Sequence, residues 1–501
     1  MALCGAAALA AFMWVRTVGS GAHLLHFDAK AHLVVARRVL DSLTPGWTQL
    51  GAIWLPLPHV LNVLPSQNDV LYHSGLFAAA LAYVSFVAGL AAVGRAAAVA
   101  TGDPWAGVVA LSVPALNPGW LYLQATPLIE ALFLGLVGGM GLFLVRWWRD
   151  VREADLAAAA ACSGLACLVR YEAWALAAAA LTLVLWITRV QRGGPRPWLV
   201  GLGAGLVGPI VLYGLHTWAS TGIPFHVIGS ESLTARRGAP LAAAGQLASG
   251  LVAAFGLPLV LGATAAFAWI LADRKRRAST LARLAAAGLV PAAVTLTAYL
   301  AGHPQKARYP LLLVTALSFA LALATAPRRW AQALAVGLAV SQAVAVPRPL
   351  PVLKESTRDR EAVAERVPVV AALREAYAGG RILASMGSLA PVLFELRLPL
   401  REIVHEGNGN YWTYAVVDPA REVSWVVVAK GDVLDQVRRY RSEFPEGFVP
   451  VMGFRGVEIY RRATDLAPRE ALSDPRHLEP AVDRGSQLTE GRAFPCSQSF
   501  S

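Results

Sequence analysis

The chain has 501 residues, of which 56% are hydrophobic and 15% charged, and its mean hydropathy is +0.50. That balance excludes an ordinary soluble globular protein and a disordered chain. The formal net charge of +12 does not point to nucleic acid, because the arginines fall in short clusters between apolar runs and not on one aromatic-rich soluble face.

A hydrocarbon core of roughly 30 Å needs about 20 apolar helical residues. On that basis about eleven transmembrane helices are expected, near residues 1–20, 72–94, 105–123, 127–146, 155–169, 173–188, 198–217, 249–272, 284–301, 309–326 and 330–346. The first lacks the basic stretch that opens a signal peptide and reads as an uncleaved span. The fifth is the shortest and ends in "CLVRYEAW".

Basic residues occupy every second loop: Arg95, then Arg146, Arg149 and Arg152, then Arg189, Arg192 and Arg196, then Arg274 to Arg277, then Arg328 and Arg329. Lys and Arg in short loops stay on the cytoplasmic side. The expected arrangement is therefore a multi-pass protein of the cell membrane with a cytoplasmic N-terminus. The loops 21–71 and 218–248, the short "GHPQKARYP" loop and everything after residue 347 then face outward.

After the first span comes "HLLHFDAKAHLVVARRVLDSLTPGWTQLGAIWLPLPHVL". Its segment from Asp28 suits a helix lying in the membrane interface, with Lys30, Arg37 and Arg38 reaching headgroups. Asp28 and His32 are four apart and share a face. Asp28 is open to two readings, an acid stabilised at a helix N-terminus or a reactive carboxylate. His23, His26, His32, His59 and His73 lie in or beside the loop and leave a divalent metal open, although no metal-ligand set and no other cofactor is identified. The four cysteines form no CxxC pair and no zinc spacing.

Further along, three more stretches bring ionisable groups to span ends, where charge is costly. These are Glu130 in "YLQATPLIEAL", the triplet Arg170, Tyr171 and Glu172, and Lys306 with Arg308 and Tyr309. Arginine at an outward end runs against the topology rule and wants an anion. Glu172 or Glu130 is one candidate and a lipid phosphate another, since guanidinium matches phosphate oxygens in pairs. Asp103, in "GDPW", falls on the inner side and reads as a helix start with Pro104 at the first position.

The Pro-rich "PRPLP" at 347–351 marks a change in composition. Ser356 and Asp359 suggest a capping box opening a helix that runs to about Tyr377. Strand-like runs follow at "RILAS", "REIVH", "SWVVVA" and "GVEIYRR", with a helical "DVLDQVRRY" before the last. The expected division is a membrane domain over 1–346 with a catalytic outer loop at 21–71, a small α/β domain over 347–463, and a disordered tail over 464–501.

In "HFDAKAHLVVARRVLDS", "TPGWTQLGAIWLPLPHVL", "YLQATPLIEALFL", "LVRYEAWAL" and "KARYPLLL", the chain resembles the polytopic GT-C glycosyltransferases. That family includes the protein O-mannosyltransferases and the bacterial transferases that put aminoarabinose on lipid A. The resemblance covers about the first 330 residues in layout. It implies transfer of a sugar from a polyprenyl-phosphate donor to a hydroxyl on a protein, glycolipid or wall glycan at the outer face. It puts the catalytic carboxylate, acting as general base or orienting the acceptor, at Asp28 and a second acidic contact at Glu130. It puts donor-phosphate contacts at Arg308, Lys306 and Arg170, and leaves His32, Tyr171, Glu172 and Tyr309 as acceptor or interface residues. Asp28 is followed by Ala29 and Lys30 where the family often has paired acids. The competing class is a transporter or flippase of lipid-linked substrates, which would place ionisable groups near mid-membrane and show internal repeats.

Overall fold

The computed structural model describes residues 1–191, 198–225, 239–272, 279–301, 306–364, 367–454 and 456–465. Arg192, Arg196, the basic run at 274–277, residues 226–238 of the 218–248 loop, residues 302–305 of the short outer loop and the tail beyond residue 465 lie outside them, while residues 240–248, expected in a loop, begin the helix Pro240–Phe255. The protein is mostly helical and multi-pass, and it ends in a mixed five-stranded sheet.

Each expected span is helical, yet few are long straight helices. Among the described residues, five helices are long and apolar enough to cross a membrane: Ala2–Gly19, Leu76–Thr101, Glu130–Asp150, Glu172–Arg189 and Ala282–Leu300. Trp198–Thr221 runs 24 residues with Pro209 inside it, and the other segments are shorter, divided or bent. Residues 105–123 form Pro104–Ala115 and Pro118–Leu123, divided at Asn117, which caps the second piece. Residues 155–169 become the 14-residue helix Glu153–Ala166. Pro310 begins a tight turn that leads into Val314–Thr325.

Helices Pro240–Phe255 and Leu257–Ala272 meet at 115° and count together as a sixth candidate span. Gly256 makes the bend with φ of +78°, and a Cβ there would lie 2.6 Å from the Ala345 Cβ. The freed carbonyl of Ala254 accepts a 2.8 Å hydrogen bond from Asn117 Nδ2, which also donates to Gln342 Oε1 at 2.7 Å. A helix broken among apolar side chains needs such internal partners.

Small residues let the bundle close tightly. Gly89 and Gly135 bring Leu76–Thr101 against Glu130–Asp150, so that a Cβ on Gly135 would sit 2.7 Å from the Ser85 carbonyl. Glu130 and the residues around Leu24, Leu33 and Pro127 that surround Gly75 share one end of these helices. At the other end Asp103 caps Pro104–Ala115 and pairs with Arg329 at 2.9 Å, while Arg149 donates to the Val99 carbonyl.

The helix Phe27–Arg38 does not lie with its charges in headgroups, which corrects the sequence expectation. Lys30 pairs with Glu395 at 2.6 Å. Arg37 binds Asp41 and Asp69 and lies over Tyr72, and buried Arg38 donates to the Gln49 carbonyl at 2.6 Å and to Met386 Sδ at 3.1 Å. Leu33 and Val34 belong to the same apolar core as Leu389, Leu393 and Trp425. The helix is thus covered by the C-terminal region, and Glu395 and Met386 from that region, with Asp41, Asp69 and the Gln49 carbonyl from the loop itself, take the charges that lipid was expected to take.

That region is tied on further by Asp41, which accepts the Leu400 N–H at 3.1 Å and the Arg401 N–H at 3.4 Å. Its sheet has the order β2-β1-β3-β5-β4, with β1 Ile382–Ala384, β2 Ile403–Val404, β3 Trp425–Ala429, β4 Phe448–Phe454 and β5 Val457–Arg462. Strands β2, β1 and β3 are mutually parallel, and β5 runs antiparallel to both of its neighbours, β3 and β4. The helix before the sheet begins at Pro351 and not at Ser356. Ser356 sits inside it, its hydroxyl donating to the Val352 carbonyl at 3.0 Å, so the capping-box reading fails.

Candidate active site

Asp28 stands in the first turn of Phe27–Arg38, and His26 caps that turn by accepting the Asp28 N–H on Nδ1 at 3.0 Å. Glu130 is the first residue of Glu130–Asp150. An acid at a helix N-terminus faces unpaired N–H groups and the positive end of the dipole. Arg170 and Arg308 come from the breaks before Glu172–Gln191 and before the Pro310 turn.

Four segments distant in sequence therefore meet in one ionic network. Arg308 donates through Nη2 to Asp28 and through Nη1 to Glu130 Oε1 at 3.3 Å. The same Glu130 oxygen accepts from Arg170 Nη1 at 2.9 Å. Arg170 turns its other face to Glu172, with contacts of 3.2 and 2.9 Å. Its guanidinium also lies over the Tyr309 ring, 5.5 Å from the centroid. Glu130 is fully buried, and Arg308 and Arg170 are 7% and 8% exposed; Asp28 is 17% exposed and forms the accessible corner.

Burial on its own would raise the Asp28 pKa, but Arg308 above all, with His26, His32 and Lys306, holds it well below the usual carboxylate range. Burial would likewise lower Arg308, and Asp28, Glu130 and Glu355 outweigh it, so the guanidinium stays charged. Two polar atoms in the network are buried with no partner among the described residues, Arg308 Nε and Glu130 Oε2.

His32 follows one turn after Asp28. Its Nδ1 is 2.9 Å from Nε2 of His59, and Trp54 packs on both rings, with centroids at 4.4 and 5.9 Å. Burial pushes His32 down to about 4 and His59 well below its ordinary value, so both rings are neutral. Among the described residues no group of three or more His, Cys, Asp or Glu is arranged to hold a metal.

The loop before His59 is held by its carbonyls. Gly51 accepts from His216, Ala52 from Tyr213 and Ile53 from Tyr171, at 3.0, 2.5 and 2.9 Å. The Tyr171 hydroxyl also meets that of Tyr213 at 2.8 Å, which makes it part of the site's floor. Gly51 has φ of +73°, and a Cβ there would lie 2.9 Å from Arg38 Nη2.

Asp28, Glu130, Arg170, Glu172, Arg308 and Tyr309 are thus brought together. Lys306 stands at the rim and faces Glu355 at 3.6 Å, while His32 and Tyr171 lie in the supporting layer. Sequence reasoning missed Glu355 and did not single out Trp54 or the pairing of His59. Glu355 belongs to the linker helix after "PRPLP", where a composition change drew the domain boundary and hid its return to the bundle.

No family profile matches the sequence, and no curated protein matches it by sequence. Solved structures do match. ArnT from Cupriavidus metallidurans bound to undecaprenyl phosphate superposes with a TM-score of 0.60 and 14% identity, over 91% of this chain and 97% of that one. Its apo state gives 0.56 and 15%, over 90% and 98%. The oligosaccharyltransferase of Archaeoglobus fulgidus tethered to an acceptor peptide containing the NVT sequon gives 0.50 and 12%, over 91% and 74%. The chain has the polytopic GT-C glycosyltransferase fold.

Proposed function

We propose that this protein is a membrane glycosyltransferase that moves a sugar from a polyprenyl-phosphate donor to a hydroxyl acceptor at the outer membrane face. The observation that carries the reading is the junction of Asp28, Glu130, Arg170 and Arg308 at one end of a bundle with this fold. The eleven-span topology and the outward orientation of this end, inferred from the arginine clusters, belong to the same proposal.

In the proposed step the acceptor oxygen attacks the anomeric carbon with inversion. The carbon–oxygen bond to phosphate breaks and its electron pair stays on the phosphate. Asp28 takes the hydroxyl proton, so one negative charge passes from its carboxylate to the leaving polyprenyl phosphate. Arg308 is suited to follow that charge, because it contacts Asp28 already and keeps the Nε donor for a phosphate oxygen. Glu130 and Arg170 hold Arg308 in place and Lys306 supplies further positive charge at the rim. Tyr309, under the Arg170 guanidinium, and Glu172 complete this wall; His32 and Tyr171 support the acceptor side.

The lipid donor has structural support besides the ArnT likeness. An apolar cavity between helices, lined by Val93, Val137, Gly141, Leu176 and Phe319, begins seven residues along the helix from Glu130 and suits a prenyl chain. A transporter would want its ionisable groups near the middle of the bundle, whereas these stand at helix ends. The test is purified protein offered a panel of polyprenyl-phosphate sugars. Release of polyprenyl phosphate with label on a hydroxyl acceptor is expected, and no turnover with any donor would sink the reading.

A further inference from the structure

We propose that Glu355 is a positioning residue for the donor: from the linker helix it holds the Lys306–Arg308 segment where the guanidinium can span Asp28 and Glu130. The proposal rests on the functional reading above.

One carboxylate makes three contacts. Its Oε2 accepts the Ala307 N–H at 3.2 Å. Its Oε1 lies 3.6 Å from Lys306 Nζ and 3.5 Å from Nε2 of His26, the residue that caps the helix bearing Asp28. Glu355 therefore touches the backbone next to Arg308 and the cap next to Asp28 together. Beyond Arg308 the chain is anchored by the Tyr309 N–H bond to the Lys306 carbonyl and by the buried turn at Pro310. On the other side, among the described residues, Glu355 fixes the Ala307 amide.

The linker helix can act as a fixed post because it is seated. Val352 is buried, and the fully buried Ser356 hydroxyl meets the Tyr122 hydroxyl at 3.0 Å, which itself donates to the Ala22 carbonyl at 3.0 Å. Burial alone would raise the Glu355 pKa, but His26, Arg308 and Lys306 keep it below its ordinary value. The carboxylate is thus ionised and able to hold both the amide and the ammonium.

Glu355→Ala and Glu355→Gln separate positioning from charge, since Gln keeps an oxygen for the Ala307 N–H. In Glu355→Ala the donor KM should rise ~10-fold with kcat within about three-fold of wild type, and Glu355→Gln should restore KM to within about three-fold. Hydrogen exchange at the Ala307 amide should quicken in the Ala variant and stay slow in the Gln variant. An unchanged KM in Glu355→Ala, or equal impairment in both variants, overturns the proposal. If the wild type turns over no donor, the functional reading fails by itself, and exchange still decides: an unchanged Ala307 rate in Glu355→Ala overturns the positioning role.

Discussion

Asp28 and Arg308 are 280 residues apart in the chain and form a direct ion pair, which Arg308 extends to Glu130 at 3.3 Å. In this state the proposed proton acceptor and the proposed phosphate clamp neutralise each other. An incoming phosphate gives Arg308 a further anion beside Asp28 and Glu130, so Asp28 becomes available as a base with the donor already seated. Donor binding before acceptor follows from that competition.

Asp28→Asn keeps the shape of the side chain and removes the proton acceptor. A fall in kcat of ~10²–10⁴-fold is expected, the range for loss of a general base. The measurement is single-turnover release of polyprenyl phosphate, with thermal unfolding in detergent to show that the fold persists. Turnover at the wild-type rate would remove Asp28 from the chemistry.

Glu130 is fully buried and receives both guanidinium groups on one oxygen. Glu130→Gln leaves two buried cations short of an anion, and breaking a buried pair this way costs ~3–5 kcal/mol. The unfolding temperature should drop, and adding Arg170→Met should cost less than the sum of the two changes. Wild-type melting in Glu130→Gln would mean the network contributes nothing to stability.

The histidine pair sets a pH dependence of stability. The unfolded chain takes up a proton at each histidine as pH falls through ~6.5, whereas folded His32 stays neutral down to about 4 and burial holds His59 well below its ordinary value. Stability from this source is complete above ~6.5 and declines as pH falls toward 4. Asp28 has a depressed value, so its contribution is lost only below the ordinary carboxylate range. Asp432, raised to about 6 by burial, acts with the opposite sign in the same window, so the comparison must be between variants. The loss of melting temperature from pH 7 to pH 5 should shrink in His32→Gln/His59→Gln, and an unchanged loss would refute the assignment.

Asp41 accepts two backbone N–H groups of the C-terminal region and the guanidinium of Arg37. Asp41→Ala strands those donors at a buried seam, at ~1–3 kcal/mol. Limited proteolysis should then cut near residues 397–402 faster than in wild type. Equal cleavage rates would show that the seam is held elsewhere.

The candidate site residues Asp28, Glu130, Arg170 and Arg308 stand out in the sequence because each is a charge where an apolar run ends. Asp28, Glu130, Arg170 and Arg308 have no place in hydrocarbon unless something answers them, and the structure shows that they answer one another. Lys30, Arg37 and Arg38 obey the same rule, but their partners Glu395, Asp69 and Met386 come from elsewhere in the chain, and no local pattern names them. Hydropathy located the expected spans and overestimated their straightness: Asn117 and Gly256 interrupt runs that composition alone treats as continuous, and the first part of Pro240–Phe255 fell in an expected loop. In the sheet, the apolar runs of β1, β3 and β5 were visible. Strand β4, "FVPVMGF", was hidden by a glycine and by a proline that it accommodates at a register shift on the sheet edge.

The bend at Gly256 is solved by three side-chain identities that belong to three different helical segments. A methyl group at 256 collides with Ala345, and loss of the amide at 117 or 342 leaves a carbonyl unanswered where no solvent reaches. A lineage that changes one of these positions inherits a defect the other two cannot repair. Asn117, Gly256 and Gln342 should therefore travel through descent as a single character, kept entire or exchanged entire.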